Sequence, residues 1–176
     1  LPDGAIARFG SIRFRHAGMD NFVCTADGKT LLTFDSQGWL RSWELPSGNL
    51  TGVIQLPECH DALCFSQDGK LLATIETITQ FGDAFQLDEI CIRETETGRK
   101  LAGFKVLDER IETMEFGPNG TRLLFGSLGK DYSLLDWKSG KRERFVSSSS
   151  LRYLASNLSP DGKRMVILDA KKWQLL

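Results

Sequence analysis

The sequence predicts an all-β repeat protein built from four-stranded antiparallel units. Three observations carry that prediction. A tight-turn phrase recurs four times, with its glycine at Gly28, Gly69, Gly120 and Gly162, spaced 41, 51 and 42 residues apart. Apolar runs flank each copy, alternating with period two on at least one side as half-buried strands do. No segment carries a helical period of useful length, and short strands at regular spacing between turn signals mean an all-β architecture.

The elements follow in order. "IARFGSIRFRH" (Ile6–His16) reads as a strand ahead of the first full unit. Unit one spans 20–56. Phe22 and Cys24 alternate before Asp27-Gly28-Lys29, and "LLTF" (Leu31–Phe34) follows as the near-continuous apolar run of a strand buried on both faces. Asp-Gly or Asn-Gly between apolar runs is the strongest short hairpin signal. A type I′ turn asks for positive φ at both central residues; Gly takes it freely, and Asp or Asn tolerates it. A second strand pair, "WLRSWEL" (Trp39–Leu45) and "LTGVIQL" (Leu50–Leu56), surrounds Ser47-Gly48.

Unit two, 61–106, repeats the plan. Leu63 and Phe65 precede Asp68-Gly69, and "LLATI" (Leu71–Ile75), "EICIRET" (Glu89–Thr95), Thr97-Gly98 and "KLAGFKV" (Lys100–Val106) follow. Unit three, 111–147, places Met114 and Phe116 before Asn119-Gly120. It continues with "RLLFG" (Arg122–Gly126), "YSLLDW" (Tyr132–Trp137), Ser139-Gly140 and "KRERFV" (Lys141–Val146). Unit four, 151–176, matches in part through Ser156 and Leu158. It turns at Asp161-Gly162, continues as "RMVIL" (Arg164–Leu168) and reaches "KKWQLL" (Lys171–Leu176), where Trp173 stands at the place of Trp39.

The 51-residue spacing is explained by "TITQFGDAFQLDE" (Thr77–Glu89), which reads as a long loop between the second and third strands of unit two. Insertions in repeat proteins map to loops on one face, often the binding face. Phe81 and Phe85, around Gly82-Asp83, are candidate contact anchors; the competing reading folds both rings back onto the neighbouring unit. Connections between units fall on the same side, which adds Asp108, Glu109 and Arg110 to the candidate partner-binding set.

Composition narrows the function classes. Of 176 residues 41% are hydrophobic, enough for a core, and the net charge is −1 with pI ≈ 6.2, which argues against a general polyanion binder and so against specific nucleic-acid partners. Residues 1–100 hold nine Lys/Arg against fourteen Asp/Glu, and residues 101–176 hold thirteen against nine; so mild an asymmetry reads as solvated surface. No run of eighteen apolar residues is present, so no membrane helix is expected. The chain opens at Leu1 without a visible leader. Cys24, Cys64 and Cys91 sit in apolar strand-like runs, which points to a reducing, cytoplasmic setting.

Four antiparallel strands per 40–45 residues make one blade of a β-propeller, and the chain resembles the WD40-repeat family. "FSQDGK" (Phe65–Lys70) and "LSPDGK" (Leu158–Lys163) are similar to the family's first hairpin. "WLRSWELPSG" resembles its third strand, with Trp43 at the Trp position and Glu44 in place of the Asp. Unit two puts Arg93-Glu94 there; unit three puts Leu135-Asp136, with Trp137 one place later. The resemblance implies a buried hydrogen-bond set of His, Ser or Thr, Asp and Trp. His16, Thr33 and Trp43 match it, and the Asp position reads Gln37. The expectation is therefore an incomplete polar set, with blades held more by packing. His60 lies too close to its turn to serve unit two. Asp27, Gly28, Asp68, Gly69, Asn119, Gly120, Asp161 and Gly162 are structural turn residues.

Three and a half blades cannot close a ring, since propellers run from four to eight. Ile6–His16 reads as the outer strand of a closing blade, and the chain as the N-terminal half of a larger, seven-bladed propeller. The alternative is two chains sharing one ring. The remaining blades of its own full-length chain are thus among the expected partners.

Signals for chemistry are sparse. "PECHDALC" (Pro57–Cys64) gathers Cys59, His60, Asp61 and Cys64, yet its spacing fits no zinc pattern. Only two His occur, and no nucleophile elbow, phosphate-binding Gly loop or His-Glu-x-x-His is present. The expectation is no catalytic residue, no cofactor and no metal. The function expected is a scaffold presenting loops to another protein or a fused domain. The alternatives are a propeller enzyme or small-ligand binder with a central-channel site, and a regulatory region of a larger signalling protein.

Overall fold

The computed structural model describes residues 14, 16, 18–56, 59–81, 85–107, 111–126, 132–145, 153–159, 165–169 and 173–175. Among them are fifteen strands and no helix, hence no helix long and apolar enough to cross a membrane. The first sheet runs β1 (Met19–Cys24), β2 (Thr30–Asp35), β3 (Trp39–Glu44), β4 (Leu50–Gln55) in spatial order. The second runs β5 (Cys59–Phe65), β6 (Leu71–Phe81), β7 (Phe85–Glu94), β8 (Lys100–Leu107). The third runs β9 (Thr113–Phe116), β10 (Arg122–Gly126), β11 (Tyr132–Asp136), β12 (Lys141–Phe145). The fourth shows three strands among the described residues: β13 (Tyr153–Leu158), β14 (Met165–Asp169) and β15 (Trp173–Leu175). Every neighbouring pair is antiparallel.

The first turn of each of the first three sheets departs from the type I′ expectation. Gly28, Gly69 and Gly120 take φ of 67°, 72° and 65°, but Asp27, Asp68 and Asn119 do not share the left-handed region. Each loop closes instead by a bond from the Gly N–H to the carbonyl three residues earlier: Gly28 to Thr25, Gly69 to Ser66, Gly120 to Gly117, all at 2.8–2.9 Å. The Asp or Asn contributes its side chain. Asp27 Oδ1 accepts from Lys29 N–H at 3.0 Å, Asp68 Oδ1 from Lys70 N–H at 3.1 Å, and Asn119 Oδ1 from Thr121 N–H at 3.1 Å. That is Asx-turn chemistry, which needs no positive φ at the Asx residue. Asp161 and Gly162 lie outside the described residues.

The sheets pack face to face. Leu32, Phe34, Leu40 and Leu56 of the first bury against Leu72 of the second. The opposite face of the second sheet, with Ala73, Ile75, Ile90 and Ile92, meets Leu123, Phe125 and Leu135 of the third. Alternation along β6 and β7 explains why one sheet serves two neighbours, because successive side chains point to opposite faces. The inner strands β1, β5 and β9 lie side by side. At the lower end the positive-φ turn of Gly98 fits so closely that a Cβ there would stand 2.8 Å from Ile54 Cγ2 and Leu56 Cδ2 of the first sheet.

The segment Thr77–Glu89 is not a long loop. β6 and β7 continue through it for 11 and 10 residues and pair as far as Phe81↔Phe85. The insertion lengthens a hairpin because Thr, Ile, Phe and Gln alternate without a breaker until Gly82, and β-branched and aromatic residues favour the extended chain.

Candidate functional site

Two constellations stand out: a buried polar set in the first sheet and a charged network in the second. Thr33 on β2 and Trp43 on β3 point to the same face. Trp43 Nε1–H donates to Thr33 Oγ1 at 2.8 Å. The Thr33 hydroxyl lies 2.6 Å from His16 Nδ1, and His16 Nε2 lies 2.7 Å from Asp35 Oδ2. Trp43 can only donate and the Asp35 carboxylate can only accept. The chain is fully satisfied with the ring proton on Nε2 and the Thr33 hydroxyl donating to Nδ1.

The acceptor in this set is therefore Asp35, not position 37, and the set in this sheet is complete. Gln37 has a different part: its backbone N–H donates to Asp35 Oδ1 at 3.0 Å, as does that of Trp39 at 2.9 Å. Arg41 adds a bond from Nη1 to Asp35 Oδ2 at 3.2 Å. One carboxylate thus fastens the β2–β3 turn with one oxygen and the His16 segment with the other. Burial alone would raise its pKa; the Trp39 N–H, His16 and Arg41 together hold it below the ordinary carboxylate value. The sequence signal was the turn "DSQG", whose leading Asp is the natural Asx cap. Phe14 shields the set, its ring 6.0 Å from that of Trp43.

In the second sheet the same positions hold different chemistry. Register places Arg93 opposite Leu72, as Trp43 stands opposite Leu31, and Thr74 and Glu76 stand where Thr33 and Asp35 do. Arg93 donates through Nη2 to Glu76 Oε1 and through Nη1 to the Gly98 carbonyl at 2.9 Å. Lys100 Nζ reaches Glu89 Oε2 at 2.5 Å and Glu76 Oε2 at 3.7 Å. Cys91 lies between, its thiol 3.6 Å from Glu89 Oε2. Thr74 Oγ1 is buried and has no hydrogen-bond partner among the described residues. Glu76, Glu89 and Cys91 offer donor atoms within 4.8 Å of one another. That spacing alone does not make a metal centre. Two cations already neutralise two carboxylates, and burial pushes the Cys91 thiol up to about 12, whereas a metal needs the thiolate.

In the third sheet Leu135 stands opposite Leu123, so apolar packing replaces both arrangements. Trp137 has another duty: its Nε1–H donates to the Gly120 carbonyl at 2.6 Å. Thr95 does the same in the second sheet, its hydroxyl donating to the Gly69 carbonyl at 2.6 Å. Both tie the third strand's end to the first turn.

Of the candidate partner-binding residues, Phe81 and Phe85 form the last pair of the β6–β7 hairpin. Asp83, Asp108, Glu109 and Arg110 lie outside the described residues.

No protein-family model matches the chain, and no curated protein matches it. A solved structure does: the β-propeller domain of Myceliophteria thermophila Cps50 (Swd1), at 12% identity and TM-score 0.67. The match covers 92% of this chain and 52% of that one, so the chain spans about half the length of that domain. At such identity the likeness speaks to the fold alone. The chain is an all-β protein of β-propeller fold, its described sheets forming an incomplete ring of four-stranded antiparallel blades.

Proposed function

We propose that this chain is a WD40-type protein-interaction scaffold with no chemistry of its own, which offers loops and one long hairpin to another protein or a fused domain. One observation carries the reading. The described charged clusters serve structure, in the Asp35 set, the Asx turns and the Glu76–Arg93–Glu89–Lys100 network, while the one large departure from the repeat is an outward addition, the β6–β7 extension. Rigid elements carrying a variable projection are how repeat folds make partner-specific surfaces. The projection is the proposed contact face, together with Asp108, Glu109 and Arg110, which follow β8 in the sequence.

The test is affinity purification from the protein's own cells, followed by cross-linking and mass spectrometry. The expected result is a reproducible protein partner whose cross-links fall on 77–88 and 108–110. Absence of any partner, together with turnover in a substrate screen, overturns the scaffold reading. A cytoplasmic setting belongs to the same proposal and rests on the free thiols of Cys24, Cys64 and Cys91, which a reducing compartment preserves. Recovery of the protein from an oxidising compartment overturns that part.

A further inference from the structure

We infer that Asn119 is a site of deamidation: the backbone nitrogen of Gly120 converts its side-chain amide to a carboxylate, with water as co-reactant, and the closed β9–β10 turn gates the reaction. The inference stands apart from the scaffold reading. Where the first and second sheets turn on Asp27-Gly28 and Asp68-Gly69, the third turns on Asn119-Gly120, the one Asn-Gly pair in the sequence. Asn119 is exposed and Gly120 is buried. Lacking a Cβ, Gly120 leaves its nitrogen sterically free to close on the preceding side chain. In the reaction that nitrogen gives up its proton and bonds to Asn119 Cγ. The Cγ–Nδ2 bond breaks, and the amide nitrogen leaves with the proton as ammonia. A five-membered imide remains. Water adds to either imide carbonyl and breaks its bond to the ring nitrogen, which takes back a proton. The product is Asp, or the isomer whose main chain runs through the side-chain carbonyl. Nothing is oxidised or reduced.

The closed turn holds each reacting group off this path. The Gly120 N–H donates to the Gly117 carbonyl at 2.8 Å, so its proton is engaged. Asn119 Oδ1 accepts from the Thr121 N–H at 3.1 Å and from the Thr121 hydroxyl at 2.7 Å, which fixes the side-chain carbonyl. The Gly120 carbonyl accepts from Trp137 Nε1–H at 2.6 Å. A Cβ on Gly120 would stand 3.5 Å from Leu71 Cδ1 and 3.7 Å from Ser66 Cβ, both beside the first turn of the second sheet, so the neighbouring sheet limits any swing. Attack therefore waits on local opening of the turn. The Asp product closes it again. Asp27 and Asp68 already accept the equivalent bond, from the N–H groups of Lys29 and Lys70, and the Thr25 hydroxyl and the Lys29 N–H hold the Asp27 carboxyl below the ordinary carboxylate value. A carboxylate also accepts more strongly than the amide it replaces. The isomer carries an extra main-chain carbon, which moves the Gly120 N–H and carbonyl off their partners. Each conversion is thus a lasting record that the first turn of the third sheet has opened.

The experiment holds the intact chain and a synthetic peptide of residues 117–122 side by side in warm, neutral buffer. Peptide mapping by liquid chromatography and mass spectrometry follows Asn119, the Asp form and the isomer with time. The intact chain is expected to convert at least about tenfold more slowly than the peptide, the factor that an opening free energy of about 1.4 kcal/mol supplies. Hydrogen–deuterium exchange at the Gly120 amide should be protected by the same factor, because both processes need its bond to Gly117 broken. Thr121→Val removes one of the two bonds to Asn119 Oδ1 and should speed conversion severalfold. Asn119→Asp, made directly, should keep the unfolding midpoint of the parent. The inference is overturned if the peptide keeps its amide, if the intact chain converts as fast as the peptide, or if slowing and exchange protection disagree. A lowered midpoint for Asn119→Asp also overturns it. A failure here leaves the cross-linking test of the scaffold reading untouched.

Discussion

Asp35 shows how much one side chain can organise. Its two oxygens hold the β2–β3 turn, the His16 segment and the Arg41 guanidinium, so its removal loosens three things at once. Its folded pKa lies below the unfolded value of about 3.9. The stabilisation is therefore present above that value and is lost as pH falls through the lower, folded one. Asp35→Asn is expected to cost about 1–3 kcal/mol near neutrality, the range for unsatisfied buried partners. It should also flatten the fall in stability between about pH 5 and pH 2. Urea unfolding of both proteins across that window measures the difference; parallel profiles would sink the assignment.

At the scale of elements, the turn glycines separate two sources of cost. Gly28 has φ 67° with nothing within 4 Å of an added Cβ, whereas Gly98 has φ 73° and close contacts with Ile54 and Leu56. Gly28→Ala should cost about 1–2 kcal/mol from backbone strain alone, and Gly98→Ala distinctly more, because overpacking adds about 1–3 kcal/mol. Denaturant midpoints for the pair test the ordering. These turns were legible in the sequence because turn chemistry is local: a Gly after Asp or Asn between apolar runs has few other meanings. Asp35 was not, because its role depends on where β2 ends, and the reading of the Asp position as Gln37 misplaced it by two residues. The hairpin extension was missed because Gly82-Asp83 in its middle resembles loop punctuation, while the pairing that makes it a ribbon is a relation between two segments. The Arg93–Glu76 pair was invisible for the same reason: register, not spacing, brings it together.

Across the whole molecule, successive interfaces are solved differently. The face that carries Asp35 in the first sheet is polar; its counterpart in the second is ionic; in the third it is apolar. The ionic one predicts strong coupling. Glu76 and Arg93 side chains are 13% and 10% exposed. Glu76→Gln or Arg93→Leu alone should destabilise by up to about 3–5 kcal/mol, because each removes the nearest ionic partner of a buried charge, with Lys100 standing 3.7 Å from Glu76, while the double variant Glu76→Leu/Arg93→Leu should recover much of the loss. A double-mutant cycle measured by chemical denaturation decides; additive losses would mean the pair is not a unit.

Each complete sheet is a meander of four antiparallel strands in sequence order, so its chain enters on one edge strand and leaves on the opposite one, at the same end of the strands. Tension applied along the polypeptide therefore meets the ladder bonds one after another, as a zip, rather than loading them together in shear. The molecule is stiff against sideways pressure from a docked partner yet compliant when pulled from its ends. In single-molecule stretching it should yield at low force in discrete steps. Each step should release one sheet of roughly 40 residues, about 130 Å at the reach of an extended chain.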